Sequence, residues 1–298
     1  MNLIGRVSEC RELKRLKESD SPEFVAVYGR RRVGKTYLVK EFFNYCKKVN
    51  GKLEADGRHF KPIFGCEVYV APRRKEQREG KQDAANYHLI LLAKNATGYH
   101  NLIKLVSRAW TDGYYYHPRT DRYDIEKYHE GIICCSACIG GEVPRLILGG
   151  QPELARETIL WYRNLFGEDY YLELQRHKAT VEKANHETYQ LQCQANEELV
   201  KLGAELGIKT ICSNDVHFLE EENADAHELL ICLNTGKDPD DPTLMRYTKQ
   251  EWLKTQAEMN DVFADCPEAL ANTCEILDKV EEYSIDHPPI MPFFAIPE

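Results

Sequence analysis

Two sets of residues in this sequence have types and spacings that could do chemistry. The first is Gly29-Arg-Arg-Arg-Val-Gly34-Lys35-Thr36, which matches the phosphate-loop pattern G-x-x-x-x-G-K-[ST] between a predicted strand, Glu23 to Tyr28, and a predicted helix from Lys35. In such a loop Gly29 and Gly34 let backbone amides wrap a phosphate, Lys35 reaches the outer phosphate oxygens and Thr36 holds magnesium, so the ligand would be Mg-ATP. The second set is Glu67 in GCEVYV, His88 in YHLILLAK, Cys138 after GIICCSA, and Asp215 with His217 in NDVHF, all at or beside predicted strands. Carboxylate, imidazole and thiolate together suit zinc or manganese better than calcium. Taken singly, a histidine at a strand start is usually a hydrogen-bonded packing residue and a buried cysteine a small hydrophobe. Asp215-x-His217 stands apart, because alternate residues of a strand point to one face. Cys135-x-x-Cys138 has zinc-like spacing, but no second pair lies near it.

The elements needed to position both sets are legible. A helix from Ser8 to Lys17, the strand at 23–28, a glycine-rich turn and a helix running to about Val49 make a strand–turn–helix unit. Beyond a polar loop bounded by Gly51 and Gly57, the strands FKPIFGCEVYVA, YHLILLAK, GIICCSA, YYLELQ and IKTICSND alternate with helical patterns around NLIKLVSRAW, PELARETILWYRNLF and Lys178 to Leu206. Strands separated by helices argue for an α/β fold with parallel pairing, as a barrel or an open sheet, and a barrel would gather polar strand-end residues at one face. From Ala224 the chain reads as helical, and it closes on the proline-rich DHPPIMPFFAIPE, which resists regular structure. The runs RRKEQREGKQD, EKYHE and EEENADAHE read as solvated faces, and Tyr114, Tyr115 and Tyr116 as aromatics packed between helices.

Composition narrows the function classes. With 298 residues, 43% hydrophobic and 29% charged, the chain is long enough for one large or two modest globular domains. The charged N-terminus has no apolar signal core, and no stretch approaches the roughly 18 apolar residues needed to cross a bilayer, so a cytoplasmic protein without membrane partners is expected. A net charge of −9 disfavours a broad basic surface for duplex DNA. Eleven scattered cysteines without a secretory segment do not suggest a disulfide framework.

The segments KPIFGCEVYVAPR, YHLILLAKNATGYHNLIKLVS, YYYHPRTDRYDIEKYHEGIICCSACIGGEVPRLIL, DYYLELQRH, IKTICSNDVHFLEEENADAHELLICLNTGKDPDDPTLMRY and EEYSIDHPPIMPFFAIPE resemble the PHP domain of bacterial DNA polymerase III alpha subunits. The resemblance implies an incomplete, distorted (β/α)7 barrel and a multi-metal cluster. Some members are 3′–5′ exonucleases or phosphoesterases, and others are scaffolds for the polymerase. By motif match it makes Glu67, His88, Cys138, Asp215 and His217 metal ligands, and it implies a part in DNA replication with DNA and replicase subunits as partners. The upstream His-x-His strand, early Asp and Asp-His-Gly-Asn of the family are not found, so the implied ligand set is incomplete and its activity degraded. The magnesium-binding carboxylates of the nucleotidyltransferase (DNA-directed DNA polymerase) are not expected in this chain. GKDPDDPTLMRYT and PIMPFFAIPE resemble the polymerase branch rather than a stand-alone PHP phosphoesterase, which is the alternative. Residues 1–40 resemble instead the start of prokaryotic AAA-type ATPases, a P-loop fragment for which no Walker B strand is found. The expected organisation is therefore a P-loop fragment over 1–40, a PHP domain lacking its first strands over 41–285 and a linker over 286–298.

Overall fold

A computed structural model describes residues 61–285. The predicted phosphate-loop unit, with Gly29, Gly34, Lys35 and Thr36, and the proline-rich tail from 286 lie outside the described residues. Strands form where β-branched, aromatic and leucine residues cluster: β1 (Phe64–Val70), β2 (Tyr87–Ala93), β3 (Arg119–Thr120), β4 (Ile132–Cys135), β5 (Tyr170–Gln175) and β6 (Thr210–Ser213). They make one six-stranded sheet in the order β3-β1-β2-β4-β5-β6, within a mixed α/β fold.

Parallel pairing holds for β1 with β3, β4 with β5 and β5 with β6. Strand β2, however, runs antiparallel to both β1 and β4. A parallel return usually needs a crossover helix. Between β1 and β2 the chain forms only the five-residue α1 (Gly80–Ala84). That connection is instead pinned at the sheet edge by the buried Arg119, which donates to the carbonyls of Lys75, Gln77 and Asp83.

The remaining helices are α2 (Ala96–Thr111), α3 (Arg122–Lys127), α4 (Glu142–Leu148), α5 (Pro152–Phe166), α6 (Glu187–Leu206), α7 (Ala224–Thr235), α8 (Gln256–Val262) and α9 (Pro267–Lys279). Asn95 caps α2 by accepting the Gly98 amide, and Gly207, at φ +64°, ends α6 in the left-handed conformation. Helix α6 starts nine residues later than Lys178, because the Asn185 side chain accepts the amides of Glu187 and Thr188 and sets the first turn there.

Alternation along the strands sorts the two faces of the sheet. Val68, Val70, Leu89, Leu91, Cys134 and Leu172 pack with α2, α4, α5 and α6 in the main core. The opposite positions, Leu92, Ile133, Cys135, Tyr171 and Ile211, form a second cluster with Ile276 of α9 and Val280. Cys135 is thus a core residue rather than half of a zinc pair. The register puts Glu67, His88, Glu173 and Ser213 on this second face.

The run RRKEQREGKQD differs from the reading as solvated surface, whereas EEENADAHE is largely exposed as expected. Lys75 is buried 3.0 Å from the buried Asp124, and Asp83 accepts two bonds from Arg73, because this loop folds under the sheet edge. Asp225 and Glu228 pair with Lys249 across the chain. Tyr114 and Tyr116 each keep one ring neighbour but are exposed rather than packed between helices. Among the described residues no helix is long and apolar enough to cross a membrane.

Candidate metal centre

The antiparallel register of β1 and β2 pairs Glu67 with Ile90 and Tyr69 with His88, so Glu67 and His88 are diagonal neighbours on one face. Glu67 Oε1 lies 2.6 Å from His88 Nδ1. Because β2 runs against β1 and β4, the beginning of β2 meets the ends of both. The loop after β4 then folds back over His88: the His88 amide donates to the Gly140 carbonyl at 3.0 Å, and Cys138 Sγ stands 3.4 Å from His88 Nδ1. This turn is tight, and at Gly141 only glycine fits. A Cβ on Gly140 would stand 3.0 Å from His88 Nδ1, and one on Gly141 2.2 Å from the Ser136 carbonyl oxygen.

Asp215 and His217 follow β6, with His217 Nε2 3.5 Å from Asp215 Oδ1. The His217 amide donates to the Glu251 carbonyl at 2.8 Å, and its ring packs against Tyr247 at 4.7 Å and His227 at 5.5 Å. Ala137, beside Cys138, sits at φ +63° and Asp215 at φ +39°. Left-handed backbone in non-glycine residues is costly, and it collects at sites where the surroundings hold side chains for a purpose.

The five donors therefore form a string, Glu67–His88–Cys138, and a pair, Asp215–His217. They feel one another's charge. Burial pushes the Cys138 thiol up, and Asp215 and Glu67 push it further. Burial would raise the Asp215 carboxyl, but the hydrogen bond from His217 and the positive charge of His217, His177 and His88 hold it below the ordinary range. Burial would lower His217, yet Asp215 raises it.

Sequence reasoning missed the groups behind these donors. Glu173 is buried on β5, accepts from Gln175 and Ser213, and is pushed up to about 7 by burial and, less strongly, by Asp215 and Glu67. The buried His177 is held by Gln192 at 2.9 Å and by the Asn214 carbonyl at 3.0 Å, which fixes the residue preceding Asp215. The only signal for Glu173 was a lone carboxylate inside the apolar strand YYLELQ.

The donor chemistry fits a borderline or thiophilic divalent cation, since a thiol that burial and then neighbouring carboxylates keep protonated ionises most readily against such an ion. Three buried acceptor oxygens near the Asp215 segment, Gln175 Oε1, Asn214 Oδ1 and Glu251 Oε2, also lack a hydrogen-bond donor. The fit is partial: among the described residues no three His, Cys, Asp or Glu side chains close into a ready-made cage.

The fold is a mixed α/β sheet with polar donors at its strand ends, and its family follows from its relatives. Residues 18–177 match the PHP domain, more than half of the sequence, and the chain belongs to that family. The match takes in Gly29 to Thr36 as well as Glu67, His88 and Cys138. The chain is similar to the DNA polymerase III subunit alpha of Borreliella burgdorferi, at 45% identity over 249 residues, covering 82% of this chain and 21% of the relative. It is also similar to those of Treponema pallidum, at 38% over 240 residues (80% and 20%), and Campylobacter jejuni, at 35% over 260 residues (78% and 21%). It spans about a fifth of the length of these relatives.

Proposed function

We propose that this chain is the PHP portion of a bacterial DNA polymerase III alpha subunit, and that Glu67, His88, Cys138, Asp215 and His217 hold zinc or manganese in a site for phosphoester chemistry. The observation that carries this is the string of donors from three parts of the chain, with Glu67 Oε1 2.6 Å and Cys138 Sγ 3.4 Å from the His88 ring. A divalent cation held there supplies Lewis acidity that neutralises phosphate charge and activates water. His217 orients and charge-balances Asp215, Gly140 and Gly141 hold the Cys138 loop over His88, and His177 anchors the backbone at Asn214. The family's upstream ligand motifs are missing from the sequence, which supports a structural and accessory metal domain, with 3′–5′ exonuclease or phosphoesterase activity reduced. DNA and replicase subunits in the cytoplasm are the partners this reading implies. Mg-ATP at Gly29, Gly34, Lys35 and Thr36 would be a separate function, supported by motif spacing alone.

The test is elemental analysis of the purified chain beside an Asp215→Ala/His217→Ala double variant. Zinc or manganese at about one ion per chain or more, lost in the variant, is the expected result. A well-folded wild-type chain with no metal above background would overturn it.

A further inference from the structure

We infer that the loop from Gly113 to Pro118 is a stacking subsite for single-stranded nucleic acid at the mouth of the candidate metal centre, an inference that rests on the phosphoester reading of that centre. The loop turns tightly: the Tyr115 amide donates to the His117 carbonyl at 3.0 Å, leaving Tyr116 at the apex. Tyr116 has φ +60°, a conformation that is steric cost for any residue but glycine, yet the position carries a large ring that is 67% exposed. Tyr114 is 48% exposed and stacks on Trp110 at 5.5 Å between ring centres. Tyr115, behind them, packs edge-on against Tyr116 at 4.6 Å and lies over the buried Arg119 guanidinium. The platform is therefore braced from below and open above.

Its position links it to the centre. Tyr69 contacts the exposed His117 at 5.0 Å on one side and His88 at 5.2 Å on the other, so a single ring separates the loop from a candidate ligand. The exposed Arg78 donates to the Asp112 carbonyl at 2.8 Å, which puts a cation beside the loop. Bases stack on exposed aromatic rings whatever their sequence, and the backbone of the same strand would then reach the strand ends that hold the phosphoester site. A chain of net charge −9 cannot bind nucleic acid by broad phosphate attraction, so local stacking is the mode open to it. A duplex keeps its bases stacked on one another and offers no face to these rings.

The experiment is fluorescence anisotropy of a short labelled single-stranded oligonucleotide with the full chain, in EDTA so that nothing is cleaved. Tyr114→Ala/Tyr116→Ala should weaken binding by roughly tenfold per ring, while Tyr114→Phe/Tyr116→Phe stays near wild type. Tyr116→Gly removes the ring but suits the backbone, so its loss of affinity reports stacking and not misfolding. Wild-type chain that binds no oligonucleotide, alanine and glycine variants that bind as well as wild type, or inorganic polyphosphate that competes as well as the oligonucleotide would each overturn the inference. So would a dimer that the alanine pair dissociates in sedimentation without change in oligonucleotide affinity, which would make the patch a self-association surface. Metal content of the same preparations, measured separately, distinguishes this failure from failure of the metal reading.

Discussion

Two groups of charged side chains leave solvent in this fold, and they are composed differently. At the sheet edge, Asp121 and Asp124 meet Arg74, Lys75 and Arg108, with Arg74 Nε 2.8 Å from Asp121 and both Lys75 Nζ and Arg108 Nε 3.0 Å from Asp124. At the strand ends, Glu67 and Asp215 pair with imidazoles and Glu173 accepts from Gln175 and Ser213, while the Cys138 thiol and Glu173 are raised by burial and by their acidic neighbours. The first group is matched by the protein's own cations, although Asp124 Oδ1 has no hydrogen-bond partner. The second is acid-rich, and its stability depends on what charge it meets. A charge-balanced cluster shapes the loop before β2, whereas the proposed metal site is the acid-rich one.

The largest effect should come from breaking the balanced cluster. Asp124→Ala leaves Lys75 buried beside too few acids, and urea unfolding should show a loss of about 3–5 kcal/mol. A loss under about 1 kcal/mol would mean that water or a neighbour compensates and that the contrast between the clusters is false. Next, added zinc or manganese should stabilise wild type by about 2.7 kcal/mol at a hundred times its dissociation constant, and leave Asp215→Ala/His217→Ala unmoved. Equal stabilisation of both chains would place the metal elsewhere.

The smallest effect concerns Glu173 and has a defined sign. Its carboxyl rises from an ordinary 4.5 to about 7 in the fold, so its contribution to stability is full below about pH 4.5 and is lost as pH rises through about 7. In metal-free protein, Glu173→Gln should therefore be more stable than wild type at pH 8, on the order of 1–3 kcal/mol, and the gap should shrink towards pH 4.5. A constant gap across that range would show that Glu173 does not titrate with its acidic neighbours.

Much of this was legible because it depends on local pattern. Strands β1, β2, β4, β5 and β6 follow apolar runs, whereas Asp215 and His217, expected to share a face by strand alternation, lie past the end of β6 with Asp215 at φ +39°. The reversal of β2 was not legible, since it depends on Arg119 gripping carbonyls more than thirty residues away in sequence. Nor was the burial of Lys75, which sits in a run that reads as solvent-facing until Asp124 comes beside it. Glu173 and His177 escaped for a related reason: a strand's pattern gives the side on which a residue lies, not the charges that will face it. The joining of Glu67, His88 and Cys138 likewise required the register, which no single segment contains.

The reversed course of β2 also sets where this domain can be altered. Since His88 stands near the start of that strand and Ala93 at its end, the two ends of one element carry different freedoms. Lengthening the chain by a residue before Tyr87 would slide the imidazole past Glu67 and the Cys138 loop together. The turn after Ala93 lies at the other end of the strand, where the Lys94 backbone bonds Gly131 and Glu281 and Asn95 caps α2, so an insertion there would cost stability without sliding the imidazole.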